Sequence, residues 1–276
     1  AARRAGGWGI AIIFGTFSLY PIFADMQFMP AVLSGLSQDI VATASYHMMS
    51  EESVLGIPLR VFGTLIVGFI LFGVALQSTG GGRFFINLAF AVLGGVRGGP
   101  AKVAIFASGL FGSLSGSVVT NILTTGSMTI PAMKRTGYPP RYAGGIEACA
   151  STGGVLMPPV MGATAFVMAS FLDIPYVAVA LAAVVPSFLY FFGLFVQIDS
   201  YAARNDIQGL PKSELPSVKK TLSEGWYYIF GFLLLVYLLI YLKREAHAPF
   251  YATVALLALS QFGKLKRQDV WYYILG

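Results

Sequence analysis

Two clusters of oxygen-bearing residues interrupt otherwise apolar sequence. The first is Ser113, Ser115, Gly116 and Ser117, followed by Asn121; the second is Ser151, Thr152, Gly153 and Gly154. Hydroxyl oxygens, a side-chain amide and the carbonyls that a broken helix leaves without partners form a hard, all-oxygen donor set. Such a set suits Na⁺ and needs no carboxylate. The amide ends of the same breaks suit an anion, and Asn121, Thr125, Met157 and Pro158 are candidate substrate contacts. Taken singly, each serine has a plainer use in helix packing or in bonding back to its own helix. Taken jointly, the two clusters point to a site. Glu147 is the one carboxylate well inside an apolar segment, and intramembrane acids are candidates for proton or ion duty. Arg141, about two turns away, offers it an ion pair near the membrane edge as the plainer alternative.

Other chemistries find little material. Cys149 is the only cysteine, and His47 and His247 are the only histidines and stand far apart. Neither a disulfide framework nor a Cys- or His-based metal site follows. Glu147 and Cys149 are two residues apart and do not share a helical face, which argues against a membrane-embedded enzyme. A channel subunit would need a continuous polar lining, and the polar residues here fall in two clustered breaks.

The composition says where these clusters must work. Of 276 residues, 56% are hydrophobic and only 11% charged, against about 25% charged in soluble domains. The mean hydropathy is +0.73. The expectation is an all-α polytopic membrane protein. The net charge of +6 is spread through the loops between apolar runs, as membrane topology requires, and does not indicate nucleic-acid binding. No cleavable signal peptide is visible, and the first residue is not Met, so a fragment or processed piece is expected.

The apolar runs set the elements. A membrane helix predicted from Trp8 to about Met29, counted within a segment 1–30, precedes an exposed acidic segment, 31–56. Ile57–Ser78 reads as a clean span, and Phe84–Gly95 is too short to cross, placing a scaffold helix and an interfacial or half-buried helix in 57–97. Within 98–136, Val103–Gly112 and Val118–Met133 are two short arms around the polar break Ser113–Ser117. Basic residues flank both ends, Arg97 and Lys102 before and Lys134 and Arg135 after. Positive-inside sidedness predicts a re-entrant helical hairpin; two thin tilted helices are the alternative. Tyr142–Leu172, interrupted by Gly153-Gly154 and Pro158-Pro159, reads as a discontinuous helix, and Tyr176–Val196 as its return, together 137–198. A linker, 199–223, and further membrane helices, 224–276, follow. This threading puts most of the 18 Lys and Arg on the cytoplasmic side, with Arg60, Lys243 and Arg244 as exceptions.

The run Gly98-Gly-Pro-Ala-Lys102, Gly112-Ser-Leu-Ser-Gly-Ser117, Asn121, Thr124-Thr-Gly-Ser-Met-Thr-Ile-Pro131, Glu147-Ala-Cys-Ala-Ser-Thr-Gly-Gly154 and Met157-Pro-Pro-Val-Met-Gly162 resembles the large membrane subunit of tripartite ATP-independent periplasmic (TRAP) transporters. Within these it looks like the fused-permease branch that works with TAXI-type solute-binding proteins, with residues 1–30 similar to the end of the small-subunit part. Val155 and Ser170 depart from the Gln and Glu common in the family. The resemblance implies a bacterial inner-membrane, Na⁺-coupled importer of organic anions, typically carboxylates. It implies an elevator-type fold built from two inverted repeats, each with a hairpin and a broken helix, and a periplasmic TAXI-type binding protein as partner. One such pair is visible here, so the second repeat is expected on a missing part of the permease. Carried onto this chain, the first hairpin tip and the broken helix that hold Na⁺ are Ser113–Ser117, Asn121 and Ser151–Gly154.

Overall fold

The computed structural model describes residues 2–26, 30–53 and 55–262, and every regular element among them is helical. Met29, the expected end of the first span, and the basic residues Lys264, Lys266 and Arg267 lie outside the described residues. The chain divides into two compact units, residues 1–60 and 61–276. In the first, α1 (Ala2–Phe23) bends at Gly7, whose φ is 76°. The acidic segment contains α2 (Ile40–Met49), begun by Asp39, whose carboxylate accepts from the Ile40 amide. His47 Nε2 lies 2.8 Å from the Ser18 carbonyl and ties α2 to α1. A short helix, α3 (Ile57–Val61), closes this part.

The second unit runs through a π-helical turn (Phe62–Ile66) into α4 (Val67–Ser78), then α5 (Gly81–Leu93), α6 (Gly99–Ser115), α7 (Val118–Arg135), α8 (Pro140–Gly154), α9 (Ala163–Phe171), α10 (Tyr176–Arg204), α11 (Val218–Ile240) and α12 (Ala248–Phe262). Three stretches are long and apolar enough to cross a bilayer: Ile57–Ser78, Tyr176–Arg204 and Lys212–Ile240. On α10, Leu181, Val185, Phe188, Leu189 and Phe192 are all exposed. Their helical spacing makes an apolar stripe of the kind that faces lipid or another helix.

The core of this unit is made by α6, α7 and α8. Ala101, Ala104, Met133, Ala143, Ile146 and Ala150 are buried together with Ile198 and Ala202 of α10. Small residues let these helices approach closely, which is how membrane helices gain packing energy where no water remains to be displaced. A second cluster joins Ile86, Ala89 and Phe90 of α5 to Val103 and Ala107 of α6. A Cβ on Gly82 would lie 2.8 Å from Thr124 and 3.6 Å from Phe111, and one on Gly99 would lie 2.1 Å from the Gly94 carbonyl. The start of α5 therefore sits high on the hairpin and its end at the hairpin base, antiparallel to α6.

Three expectations need correction. The first hairpin arm does not stop at Gly112: α6 continues through Ser115, leaving only Gly116 and Ser117 as the turn. Ser151–Gly154 are not unwound; they form the last turn of α8, and the break is Val155–Gly162. Asp199 does not begin the linker, because α10 carries on to Arg204. The reason is local charge neutralisation. Lys102 Nζ sits 2.5 Å from Asp199 Oδ1, and Arg97 pairs with Oδ2. Lys102 is only 6% exposed and stacks over the Phe195 ring at 4.9 Å.

A buried cation depends on its partner far more than an exposed one does. Asp199→Asn is therefore expected to lower the melting temperature in detergent more than Arg97→Gln. Equal losses would mean that Lys102 does not rely on this carboxylate.

Candidate functional site

The hairpin turn is built by two residues. Gly116 takes a left-handed conformation (φ 60°), and its amide donates to the Gly112 carbonyl at 3.0 Å, which ends α6. Ser117 then caps α7, its hydroxyl accepting from the Thr120 amide at 3.4 Å. In the neighbouring segment α8 ends at Gly154, and α9 begins after Gly162, whose amide donates to the Val155 carbonyl at 2.9 Å.

The two breaks touch backbone to backbone. A Cβ on Gly112 would come within 2.7 Å of Gly154 Cα and 2.6 Å of Asn121 Nδ2; one on Gly154 would meet the Ser108 carbonyl at 2.6 Å. A Cβ on Gly116 would lie 2.8 Å from the Met161 carbonyl. The crossing at Gly112 and Gly154 thus brings the carbonyl ends of α6 and α8 together. The tip contact adds the amide ends of α7 and α9. Helix C-termini carry partial negative charge and N-termini partial positive charge, so one small region favours a cation on one side and an anion on the other. Each of these end carbonyls has a second lone pair beyond its turn hydrogen bond: Gly112 accepts from the Gly116 amide at 3.0 Å, Gly153 from Leu156 at 3.0 Å and Gly154 from Met157 at 3.2 Å. Ser115 Oγ is buried without a hydrogen-bond partner. These donors fit Na⁺ by type: oxygen only, with helix C-termini supplying the field.

The sequence-predicted residues are distributed around this crossing. Ser113 is buried and donates back to the Leu110 carbonyl at 2.9 Å. Asn121 is fully buried and donates to the Ser108 carbonyl at 2.9 Å, holding the two arms of the hairpin together. Thr152 is exposed and bonds back to Ala148 at 2.8 Å. Gly153 faces the rings of Tyr190 and Phe191. Of the substrate candidates, Thr125 is fully buried beside Asn121, Met157 packs against Gly109, and Pro158 lines a small void with Tyr176 and Leu239.

Glu147 is the centre of a second constellation. It is fully buried and takes hydrogen bonds from four hydroxyls: Ser108 at 3.0 Å, Thr125, Thr129 and Ser151 at 3.3 Å. These come from both hairpin arms and from α8 itself. Arg141 takes no part, so the membrane-edge ion pair does not form. Ser108 and Thr129 escaped the sequence reading, although Asn121, Thr125 and Thr129 stand at i, i+4 and i+8 on one face of α7. Tyr176 escaped it too: its hydroxyl bridges the Pro159 carbonyl at 2.8 Å and that of Val160, satisfying the broken backbone from α10. Cys149 is exposed while Glu147 is buried, as their spacing requires. Among the described residues no three His, Cys, Asp or Glu side chains group as a metal site.

Comparison by sequence with known proteins places the chain in a transporter family. The sequence profile of a family described as "Tripartite ATP-independent periplasmic transporter, DctM component" matches residues 1–274. A C4-dicarboxylate TRAP transporter large permease protein of Pseudomonas aeruginosa is 31% identical over 222 residues, covering 78% of this chain and 51% of the relative. An isethionate TRAP transporter permease protein of Oleidesulfovibrio alaskensis is 29% identical over 54% of the chain and 24% of its own length. A sialic acid TRAP transporter large permease protein of Vibrio cholerae is 28% identical over 57% of the chain and 36% of its own length. The chain thus spans about half the length of the first of these relatives and less of the others.

Two substitutions test the packing of the site. Gly154→Ala should cost about 1–3 kcal/mol by overpacking the crossing; wild-type thermal stability would refute the close approach. Glu147→Ala leaves several buried hydroxyls without their acceptor and should destabilise by about 1–3 kcal/mol. Glu147→Gln, which keeps shape and one acceptor, should cost less in the same melting experiment.

Proposed function

The chain belongs to the DctM component family of tripartite ATP-independent periplasmic transporters, and from that premise we propose that it is part of a Na⁺-coupled secondary importer of organic anions. The observation that carries this reading is the crossing at Gly112 and Gly154. It joins two discontinuous helical segments, the arrangement that secondary transporters use to bind ions and solutes with unwound backbone. On this reading Na⁺ is held by the hairpin tip (Ser113, Ser115, Gly116, Ser117), the α8 end (Ser151, Thr152, Gly153, Gly154) and Asn121. It supplies positive charge where two helix C-termini meet, and its gradient supplies the driving force. The substrate class rests on the relatives, which are named for C4-dicarboxylate, isethionate and sialic acid.

The wider assembly follows from the family. A periplasmic solute-binding protein would deliver the solute, a small permease subunit would accompany the chain in the bacterial inner membrane, and a second repeat would complete the site. The motif run from Gly98 to Gly162 supports the TAXI-associated branch. An elevator movement suits a hairpin and a broken helix that are packed as one body. A second reading, H⁺ coupling through Glu147, is favoured by its full burial among hydroxyls with no cationic partner.

Thermal unfolding of the purified chain in NaCl against KCl at equal ionic strength separates these readings. A ligand that binds only the folded state stabilises it by about 2.7 kcal/mol at a hundredfold excess over its Kd. The expected result is a Na⁺-specific rise that is lost in Asn121→Ala. Indifference to Na⁺ would remove the coupling-ion site from this chain and leave Glu147 as the coupling group to test by pH.

A further inference from the structure

Helix α7 has two polar faces, and the site above uses only one. Asn121, Thr125 and Thr129 turn inward and are fully buried. Thr124, Ser127 and Met128 line a groove against Arg83, Ile86 and Asn87 of α5, with a volume of about 480 Å³. That is within the range of small-molecule sites, roughly 300–1,000 Å³. Arg83 and Asn87 stand one turn apart, so they present their side chains on the same face of α5. Gly82 against Thr124 fixes this face at about two turns from the hairpin tip.

The chemistry of the groove is that of an anion site with an apolar flank. Arg83 is exposed to the groove and forms no salt bridge among the described residues. Its planar guanidinium offers paired donors matched to a carboxylate, and the Asn87 amide adds another. The two hydroxyls are committed as donors, Thr124 to the Thr120 carbonyl at 2.9 Å and Ser127 to the Thr124 carbonyl at 2.8 Å. They therefore show the groove their lone pairs and can accept from a hydroxyl or amide on the solute. Met128, exposed beside the groove, supplies the carbon contact; Ile86 is almost fully buried in the core. Asn121 and Thr125, the substrate contacts expected from sequence, are sealed inside, whereas Arg83 and Asn87 are open.

We propose that the α5–α7 groove is an organic-anion site of this chain, with the carboxylate on Arg83 and Asn87 and the carbon skeleton against Met128. The inference rests on the importer reading for its substrate class. The same donors would serve a lipid phosphate, so the test must separate the two sources.

The full 276-residue chain is placed in phosphatidylcholine nanodiscs and its thermal unfolding is followed against succinate and isethionate, each in NaCl and in KCl. Succinate should stabilise the protein. Arg83→Gln should weaken its apparent affinity at least tenfold without shifting the ligand-free melting temperature, Asn87→Ala should weaken it less, and Arg83→Lys should keep part of it. Equal affinity in Arg83→Gln, or no response of the wild type to either anion, overturns the groove. An Arg83-dependent rise on adding phosphatidylglycerol, with none from succinate, also overturns it and assigns the face to lipid. The Na⁺ comparison on the same samples keeps the outcomes distinct: a Na⁺-specific rise with no anion response sinks the groove and leaves the Na⁺ reading standing, whereas loss of both sinks the groove and the Na⁺ site together.

Discussion

The contact between Gly112 and Gly154 is the constraint on which the rest of the second unit depends. It leaves no space for a Cβ on either side, so α6 and α8 cross at backbone distance. Any side chain there would push apart the carbonyl ends of both helices and, with them, the hairpin tip that follows four residues after Gly112. Asn121 enters the same crossing from α7: its amide nitrogen lies 2.6 Å from where a Cβ on Gly112 would stand and donates to the Ser108 carbonyl.

Glu147 completes the same body from the other side. A buried carboxylate without a cation is costly unless it is solvated by donors, and here hydroxyls from α6, α7 and α8 replace water. Removing any one of the three helices from the group would strip donors from an interior carboxyl group. Packing through small residues and this polar tie therefore act in the same direction: the hairpin and the broken helix are easier to move together than to separate. At the base, Asp199 holds Lys102 of α6 and Arg97 of the preceding loop against α10, so the return helix is bound to the same body.

Much of this was legible in the chain. Ile57–Ser78 is long and apolar enough to cross a bilayer at the expected bounds, α6 and α7 meet at a turn between the basic flanks, and a break follows α8. The errors came from reading residue types without their partners. In sequence Gly153 and Gly154 read as helix breakers, yet a glycine in an apolar helix also permits close packing, and here it serves that end while the helix continues. The true break falls at the prolines, where backbone donors are missing, and the Tyr176 hydroxyl, from α10, donates to the Pro159 and Val160 carbonyls that follow. Asp199 looked like a loop residue because its charge is visible in sequence and its two cationic partners are not. Ser108 was one hydroxyl in an apolar arm, and only the fold shows that it faces Glu147.

The division of α7 into two faces gives these observations a direction. On its inner face every hydroxyl is held by Glu147 or by its own helix, which makes that face poor at exchanging partners with a passing solute. On its outer face the hydroxyls turn their lone pairs toward a cavity that also holds a guanidinium without a salt bridge among the described residues. A helix that must hold its neighbours rigidly and also meet a ligand meets these demands more easily when the two tasks fall on different faces. The 3.6-residue period allows this by setting 124, 127 and 128, on average, about a third of a turn from 121, 125 and 129. The inner ladder fixes the register of α7 against α8, and that register decides which residues are left to line the groove. The packing of the buried carboxylate and the composition of the open face are therefore two consequences of the same helical alignment.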